Sequence, residues 1–157
     1  MATLMDLVGK RAPAFSLKGD DGEQHALKDH RGKAVVIYFY PKAMTPGCTT
    51  ESRDFSASLK AFEKAGAVVL GISPDAPERL ARFREKEGLT HVLLSDPDHV
   101  VAEKYGAWGE KKLYGRSFEG ILRSTVLVGP QGKVLRAWPK VKVKGHAQAV
   151  LEALLEG

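Results

Sequence analysis

Apolar residues along this chain fall into short blocks set off by turn signals, and the period changes from block to block. Near the start, Phe15–Leu17 and Gln24–Ala26 flank Gly19-Asp20-Asp21-Gly22, which predicts a β-hairpin. Ala34–Tyr40 reads AVVIYFY, a continuous run of β-branched and aromatic residues. It predicts a central strand buried on both faces and ended by Pro41. Phe55, Leu59 and Phe62 then recur at helical spacing until Gly66 stops the pattern. A second buried strand is predicted over Ala67–Ile72 and a helix from Pro77 to Gly88. A short strand, Val92–Leu94, leads to the Asp96-Pro97 turn and a short helix from His99 to Tyr105. Ala107–Gly120 keeps no clear period and reads as an irregular loop. Ser124–Val128 and Val134–Trp138 flank Gly129-Pro130-Gln131-Gly132, a second hairpin. The last element is an amphipathic helix, His146–Leu155, with Val150, Leu151, Leu154 and Leu155 inward and His146 as its cap.

Strand-helix-strand units that finish in a hairpin and a helix predict an α/β fold, a mixed central sheet flanked by helices. Ala34–Tyr40 and Ala67–Ile72, joined by a helix, should be parallel neighbours with a right-handed crossover. The 157 residues fit a single domain over 1–157, long enough to bury a core without disulfides or metals.

Composition narrows the class. The chain is 43% hydrophobic and 27% charged, which is ordinary for a globular protein. It carries 24 Lys and Arg against 19 Asp and Glu, a net charge of +5. Such a balance favours anionic partners. The charges are interspersed, however, and no aromatic residues interleave with them, which argues against nucleic acid as a partner. Lys140, Lys142 and Lys144 alternate in KVKVK, the pattern of an edge strand guarded by lysines. No stretch is long and apolar enough to span a bilayer, and residues 1–15 do not read as a signal peptide. A single cysteine excludes an internal disulfide and a multi-thiolate metal site, and points to a reducing compartment, the cytoplasm. His25, His30, His91, His99 and His146 are scattered, with no metal-ligand spacing among them. No long exposed apolar stripe is evident, so a monomer or weak homodimer is expected.

The one thiol, Cys48, lies in YPKAMTPGCTTE, residues 40–51, just past the central strand. Sites in such sheets commonly lie beyond the carboxyl ends of strands. Thr45 is a good helix N-cap and Pro46 a favoured first helical residue. Cys48 then becomes the third residue of the helix, facing free backbone N–H groups and the positive end of the helix dipole. Both favour a thiolate. A lone cysteine is more often inert core filler, but this setting argues for chemistry. Gly47 leaves room for a substrate to approach.

Pro41, Thr45 and Cys48 fit P-x-x-x-[T/S]-x-x-C, and FYPKAMTPGCTTE resembles the active-site segment of the peroxiredoxins, in particular the peroxiredoxin Q or bacterioferritin comigratory protein group. GISPD (71–75), LLSDPD (93–98), YGRSFEGILRSTVLV (114–128) and KVKVKGHAQAVLEAL (140–154) resemble later segments of the same group, in order, so the likeness spans almost the whole chain. It implies a thioredoxin-like fold and a cofactor-free thiol peroxidase acting on hydrogen peroxide and organic hydroperoxides. Cys48 would attack the peroxide and become a sulfenic acid. Thr45 and the Gly47 and Cys48 N–H groups would bind the peroxide, and Pro41 would shield the site. Arg123 would stabilise the thiolate and the leaving oxygen. Glu51 would orient Arg123.

The chain departs from that group in one respect. Many members carry a resolving cysteine five residues after the first, where this chain has Arg53; others carry it in the following helix, and Ala81–Glu87 has none. Ala43 and Met44 also replace polar residues expected after Pro41-Lys42. The resemblance therefore implies a one-cysteine cycle in which an external thiol (thioredoxin, glutaredoxin, a small thiol or Cys48 of a second chain) attacks the sulfenic acid. A thioredoxin-type reductase is disfavoured because C-x-x-C is absent, and a Cys-His hydrolase because no motif places a histidine by the thiol. The alternative is a non-catalytic peroxide sensor or chaperone-like binding protein on the same fold.

Overall fold

Strand β3 (Ala34–Phe39) is buried at every residue and lies inside a seven-stranded sheet. The structure, a computed structural model, describes residues 3–156. Six strands join β3: β1 (Ser16–Gly19), β2 (Gln24–Ala26), β4 (Ala67–Ser73), β5 (Val92–Ser95), β8 (Ser124–Val128) and β9 (Val134–Trp138). Their order is β2-β1-β5-β4-β3-β8-β9. As the connecting helical segment requires, β3 and β4 are parallel neighbours, paired Ala34↔Ala67 through Phe39↔Ile72. On its other side β3 pairs antiparallel with β8, from Val35↔Val128 to Phe39↔Ser124. Both predicted hairpins, β1–β2 and β8–β9, form.

The two faces of the sheet carry two cores, and β3 divides its side chains between them by strict alternation. Val36, Tyr38 and Tyr40 pack with Phe55, Phe62, Leu80, Phe83 and Val150 from α1 (Pro46–Ala57), α2 (Leu59–Lys64), α3 (Pro77–Glu87) and α5 (His146–Glu156). Val35, Ile37 and Phe39 pack on the other face with Leu4, Leu7, Phe15, Val101 and Tyr105, the Val101 side chain coming from α4 (Val100–Lys104). The result is the mixed sheet flanked by helices that the sequence predicts.

Five expectations change. Residues 107–120 are no loop: β6 (Trp108–Leu113) and β7 (Arg116–Ile121) form a separate antiparallel hairpin. Its two-residue turn, Tyr114-Gly115, has φ of 52° and 77°, the paired positive values of a type I′ turn. Most of β7 is exposed, so the hairpin lacks the apolar-polar alternation that marks a half-buried strand. The helix after Cys48 breaks into α1 and α2 at Ser58 (φ −96°, ψ 2°). KVKVK forms no strand. The edge strand β9 already ends at Trp138, and Pro139 offers no N–H to continue it. In α5, Leu155 is 67% exposed, and Ala147 and Ala153 fill the buried face beside Val150 and Leu151. His146 is the first residue of α5, not a cap. Its ring is buried and hydrogen-bonds Thr125 Oγ1 at 2.8 Å, pinning α5 to β8.

Candidate active site

At the carboxyl end of β3 the chain leaves the sheet through a loop that is clamped from two sides. The Tyr40 N–H still donates to Ile72 O at 3.1 Å. Half-buried Pro41 then ends the pairing. Ala43 is fully buried; its N–H donates to Asp75 Oδ2 at 2.7 Å and its carbonyl accepts from Arg79 Nη2 at 2.9 Å. Asp75 and Arg79 are themselves paired at 3.0 Å. The buried small side chain at position 43 explains why a polar residue is not needed there. Met44 takes a left-handed backbone, φ 66°, uncommon for a non-glycine residue and typical of loops that the surrounding structure determines.

Thr45 is the N-cap residue by backbone (φ −94°, ψ 155°), and Pro46 is the first helical residue, as predicted. The side-chain cap is not made. Thr45 Oγ1 donates instead to Lys42 O at 2.7 Å, closing the loop rather than the helix. Cys48 is thus the third residue of α1, its side chain free of any disulfide and buried.

Three side chains converge here. Arg123, in the connection between β7 and β8, donates from Nη2 to Cys48 Sγ at 3.2 Å and from Nη1 to Glu51 Oε1 at 2.6 Å. One planar guanidinium therefore spans the sulfur and the carboxylate of a single helical turn. Gly47 makes this possible: a Cβ there would stand 3.3 Å from Arg123 Nη2. On this side the room that glycine provides is taken up by the guanidinium. Burial raises the Glu51 pKa to about 7, against the pull of Arg123. Its second oxygen, Oε2, is buried with no hydrogen-bond partner. Burial opposes the Arg123 charge, but Cys48 and Glu51 outweigh it and hold that pKa above its ordinary value.

Several residues around the site carried no sequence signal. Lys111, on β6, is half-buried; burial lowers its pKa, Arg123 adds to the lowering, and Cys48 opposes it. Reading 107–120 as a loop hid it. Beneath α1, Tyr38 OH bonds Ser52 Oγ at 2.9 Å and His91 Nε2 at 2.5 Å, and His91 Nδ1 bonds Ser56 Oγ at 2.6 Å. This buried chain fixes the helix that carries Cys48 to the sheet. Gly71 of GISPD leaves space for the Tyr38 hydroxyl, which would lie 2.6 Å from a Cβ there. Arg53 is an exposed helix residue, 3.8 Å from Glu87. Among the described residues no three His, Cys, Asp or Glu side chains gather into a metal-binding group, and no helix is long and apolar enough to cross a membrane.

A nucleophilic sulfur held by a cation at the start of a helix suits attack on a neutral, polarisable bond whose leaving atom becomes negative. Comparison with known proteins gives that chemistry a family. Residues 8–137 match the AhpC/TSA family. Peroxiredoxin Bcp of Bacillus subtilis is 46% identical over 147 residues, covering 94% of each chain. Peroxiredoxin Bcp of Escherichia coli is 47% identical over 148 residues, covering 94% of this chain and 95% of the other. The bacterioferritin comigratory protein of Xanthomonas campestris, whose structures concern its alkyl peroxide reduction activity, superposes with a TM-score of 0.86 at 46% identity over 90% of both chains. With this sheet order and a cysteine at the head of α1, the chain belongs to the AhpC/TSA family and is a peroxiredoxin of the Bcp group.

Proposed function

We propose that Cys48 is the peroxidatic residue of a one-cysteine peroxidase that reduces hydrogen peroxide and small alkyl hydroperoxides. The observation that carries this reading is the Arg123 guanidinium, bonded at once to Cys48 Sγ and Glu51 Oε1. In the first half-reaction the thiolate attacks one peroxide oxygen, the O–O bond breaks, and the departing oxygen takes a proton and leaves as water or an alcohol. Cys48 is oxidised to a sulfenic acid. Arg123 serves the sulfur before attack and the developing negative oxygen during it. The Thr45 hydroxyl gives its proton to Lys42 O, so towards a hydroperoxide it acts as an acceptor. The Gly47 and Cys48 N–H groups, at the free end of α1, serve as donors. Pro41 closes the site on the strand side, and Glu51 fixes the angle of Arg123.

The chain has one cysteine, so the second half-reaction needs an outside thiol. That thiol attacks the sulfenic acid and expels water to give a mixed disulfide. A second thiol then frees Cys48 and leaves as a disulfide. Cys48 is fully buried, so a protein reductant requires the first turn of α1 to open, whereas a small thiol needs less. A reducing compartment would keep the thiol available, which favours the cytoplasm. We take residues 1–157 as one domain, acting as a monomer or weak homodimer.

Peroxide consumption by the reduced protein, with Cys48→Ser as the blank and mass spectrometry on the sulfur, tests this reading. The expected result is one equivalent of peroxide consumed without thiol, sulfenic acid at Cys48, and continued turnover once dithiothreitol or thioredoxin with its reductase is added. Stoichiometric oxidation with no turnover under any thiol would favour a peroxide sensor instead. A rate no better than a free thiol's would leave a chaperone-like binding protein.

A further inference from the structure

At the end of the sheet opposite Cys48, a cleft of about 90 Å³ opens between three segments of chain. The N-terminal segment contributes Arg11 and Ala12, the turn before β3 contributes five residues between Leu27 and Lys33, and the β8–β9 hairpin contributes four between Val128 and Gly132. Backbone bonds hold the three together: the Ala12 N–H donates to Gly132 O at 2.8 Å and the Gly32 N–H to Pro130 O at 3.0 Å. The floor is apolar, with Ala12, Leu27, Val35 and Val128. The rim is basic, with Arg11, Lys28, Arg31 and Lys33. Val35 pairs with Val128 at this end, while the active-site loop leaves from the other end, beyond Phe39. Some four residues of β3 therefore separate the two places, roughly 13 Å along the strand.

The cations of the rim are unbalanced. Among the described residues, none of the side chains of Arg11, Lys28, Arg31 and Lys33 makes an ion pair or a hydrogen bond. The nearest acid in sequence, Asp29, accepts the Ala26 N–H at 2.9 Å; its charge reaches His30 and offsets one of the four cations. Four like charges around one small cleft repel one another, and an anion between them relieves that repulsion. His30 also lines the cleft, and its Nε2 is buried with no hydrogen-bond partner. Burial holds the ring pKa below its ordinary value, so it stands as a neutral group that can donate or accept. The Arg11 guanidinium lies over Gly132, 3.6 Å from where a Cβ would be, which leaves its fork over the hairpin backbone.

We propose that this cleft binds a small phosphorylated compound, its phosphate held by Arg11, Lys28, Arg31 and Lys33 and a short apolar body lying against Leu27 at the mouth. Arginine forks match phosphate oxygens in pairs and lysines add point charge. A volume of this size takes the tetrahedral phosphate alone, so the apolar body of an ester lies at the open mouth. Leu27 there favours an ester over the bare ion. The unpaired cations also give a role to part of the chain's positive charge that the peroxidase site does not use.

The test is a titration of the full-length protein followed by amide and histidine-ring NMR, at constant ionic strength held with chloride. The probes are inorganic phosphate and phenyl phosphate. The expected result is saturable shifts at Gly32, Gly132 and His30 with millimolar phosphate, and at least fivefold tighter binding of phenyl phosphate. The Arg31→Glu/Lys33→Glu double variant, changed at two exposed positions, should weaken both by tenfold or more and leave the rate of Cys48 oxidation unchanged. Linear shifts no larger than those from added chloride would mean screening only and overturn the proposal. So would retention of binding in the double variant, or saturation by a DNA oligonucleotide but not by either phosphate.

Discussion

Replacing Arg123 with alanine is expected to slow the reaction of Cys48 with hydrogen peroxide by about a hundredfold, equivalent to roughly 2.7 kcal/mol of lost transition-state stabilisation. The guanidinium holds the sulfur at 3.2 Å and is itself held by Glu51 at 2.6 Å. Its removal takes the nearest cation from the thiolate and from the leaving oxygen together. The fold should survive, for a reason that lies in Glu51. A buried carboxylate stripped of its partner is ordinarily costly, but this one already has a pKa of about 7 and needs only a proton to become neutral. Arg123→Lys should recover part of the rate, because the charge returns without the fork that reaches both partners. Glu51→Gln should cost less than Arg123→Ala, since an amide oxygen can still accept from Nη1. Stopped-flow measurement of peroxide attack, alongside thermal unfolding of each variant, checks these outcomes. An Arg123→Ala rate within threefold of the parent would remove the guanidinium from the mechanism.

The parts of this site that were legible in the sequence are the local ones. Ala34–Tyr40 announces a doubly buried strand through unbroken β-branched and aromatic residues, and Thr45-Pro46-Gly47 announces a helix start. Together they place Cys48 as the third helical residue without help from tertiary contacts. Arg123 and Glu51 are different. They stand 72 residues apart, and no spacing rule joins them; only the resemblance to a known family paired them. The Thr45 side chain departs from the cap that the sequence predicts because its hydroxyl turns to donate to the Lys42 carbonyl, away from the N–H donors of the helix end. Residues 107–120 were missed because an exposed hairpin has no buried face to impose alternation, and Tyr114 stands where Asn or Asp usually marks a type I′ turn. The helix anchor beneath Cys48 was invisible for another reason. Tyr38 reads as one more aromatic in a core strand, and its hydroxyl acquires meaning only when Ser52 and His91 arrive from distant segments.

That anchor carries the second large prediction. His91 is buried, and burial together with the nearby Arg84 charge pushes its ring pKa down to about 3. With the ring neutral, every member of the chain can be satisfied. Ser56 accepts the Thr90 N–H and donates to His91 Nδ1, Nε2–H donates to Tyr38, and Tyr38 donates to Ser52. The folded pKa lies below the unfolded value of about 6.5, so the folded state binds fewer protons between the two. Stability from this group is complete above pH 6.5 and is lost as pH falls towards 3, in full about 5 kcal/mol. His146, pushed down to about 4 first by burial and then by Arg123, acts in the same direction. Glu51 acts in the opposite one: raised to about 7, it stabilises the fold at low pH and loses that contribution as pH rises from 4.5. The histidines together outweigh it, so the parent protein should lose stability steadily on acidification below pH 6.5. His91→Ala should cost about 3 to 5 kcal/mol at pH 8, because it opens a cavity and leaves Tyr38 and Ser56 short of a buried partner. His91→Gln, which cannot titrate, should cost less at pH 8 and show a visibly flatter loss between pH 6.5 and 4. Urea unfolding of both variants across that range measures the slopes directly. If His91→Gln keeps the parent's slope, the acid sensitivity lies elsewhere, and His91 is a packing residue with no part in it.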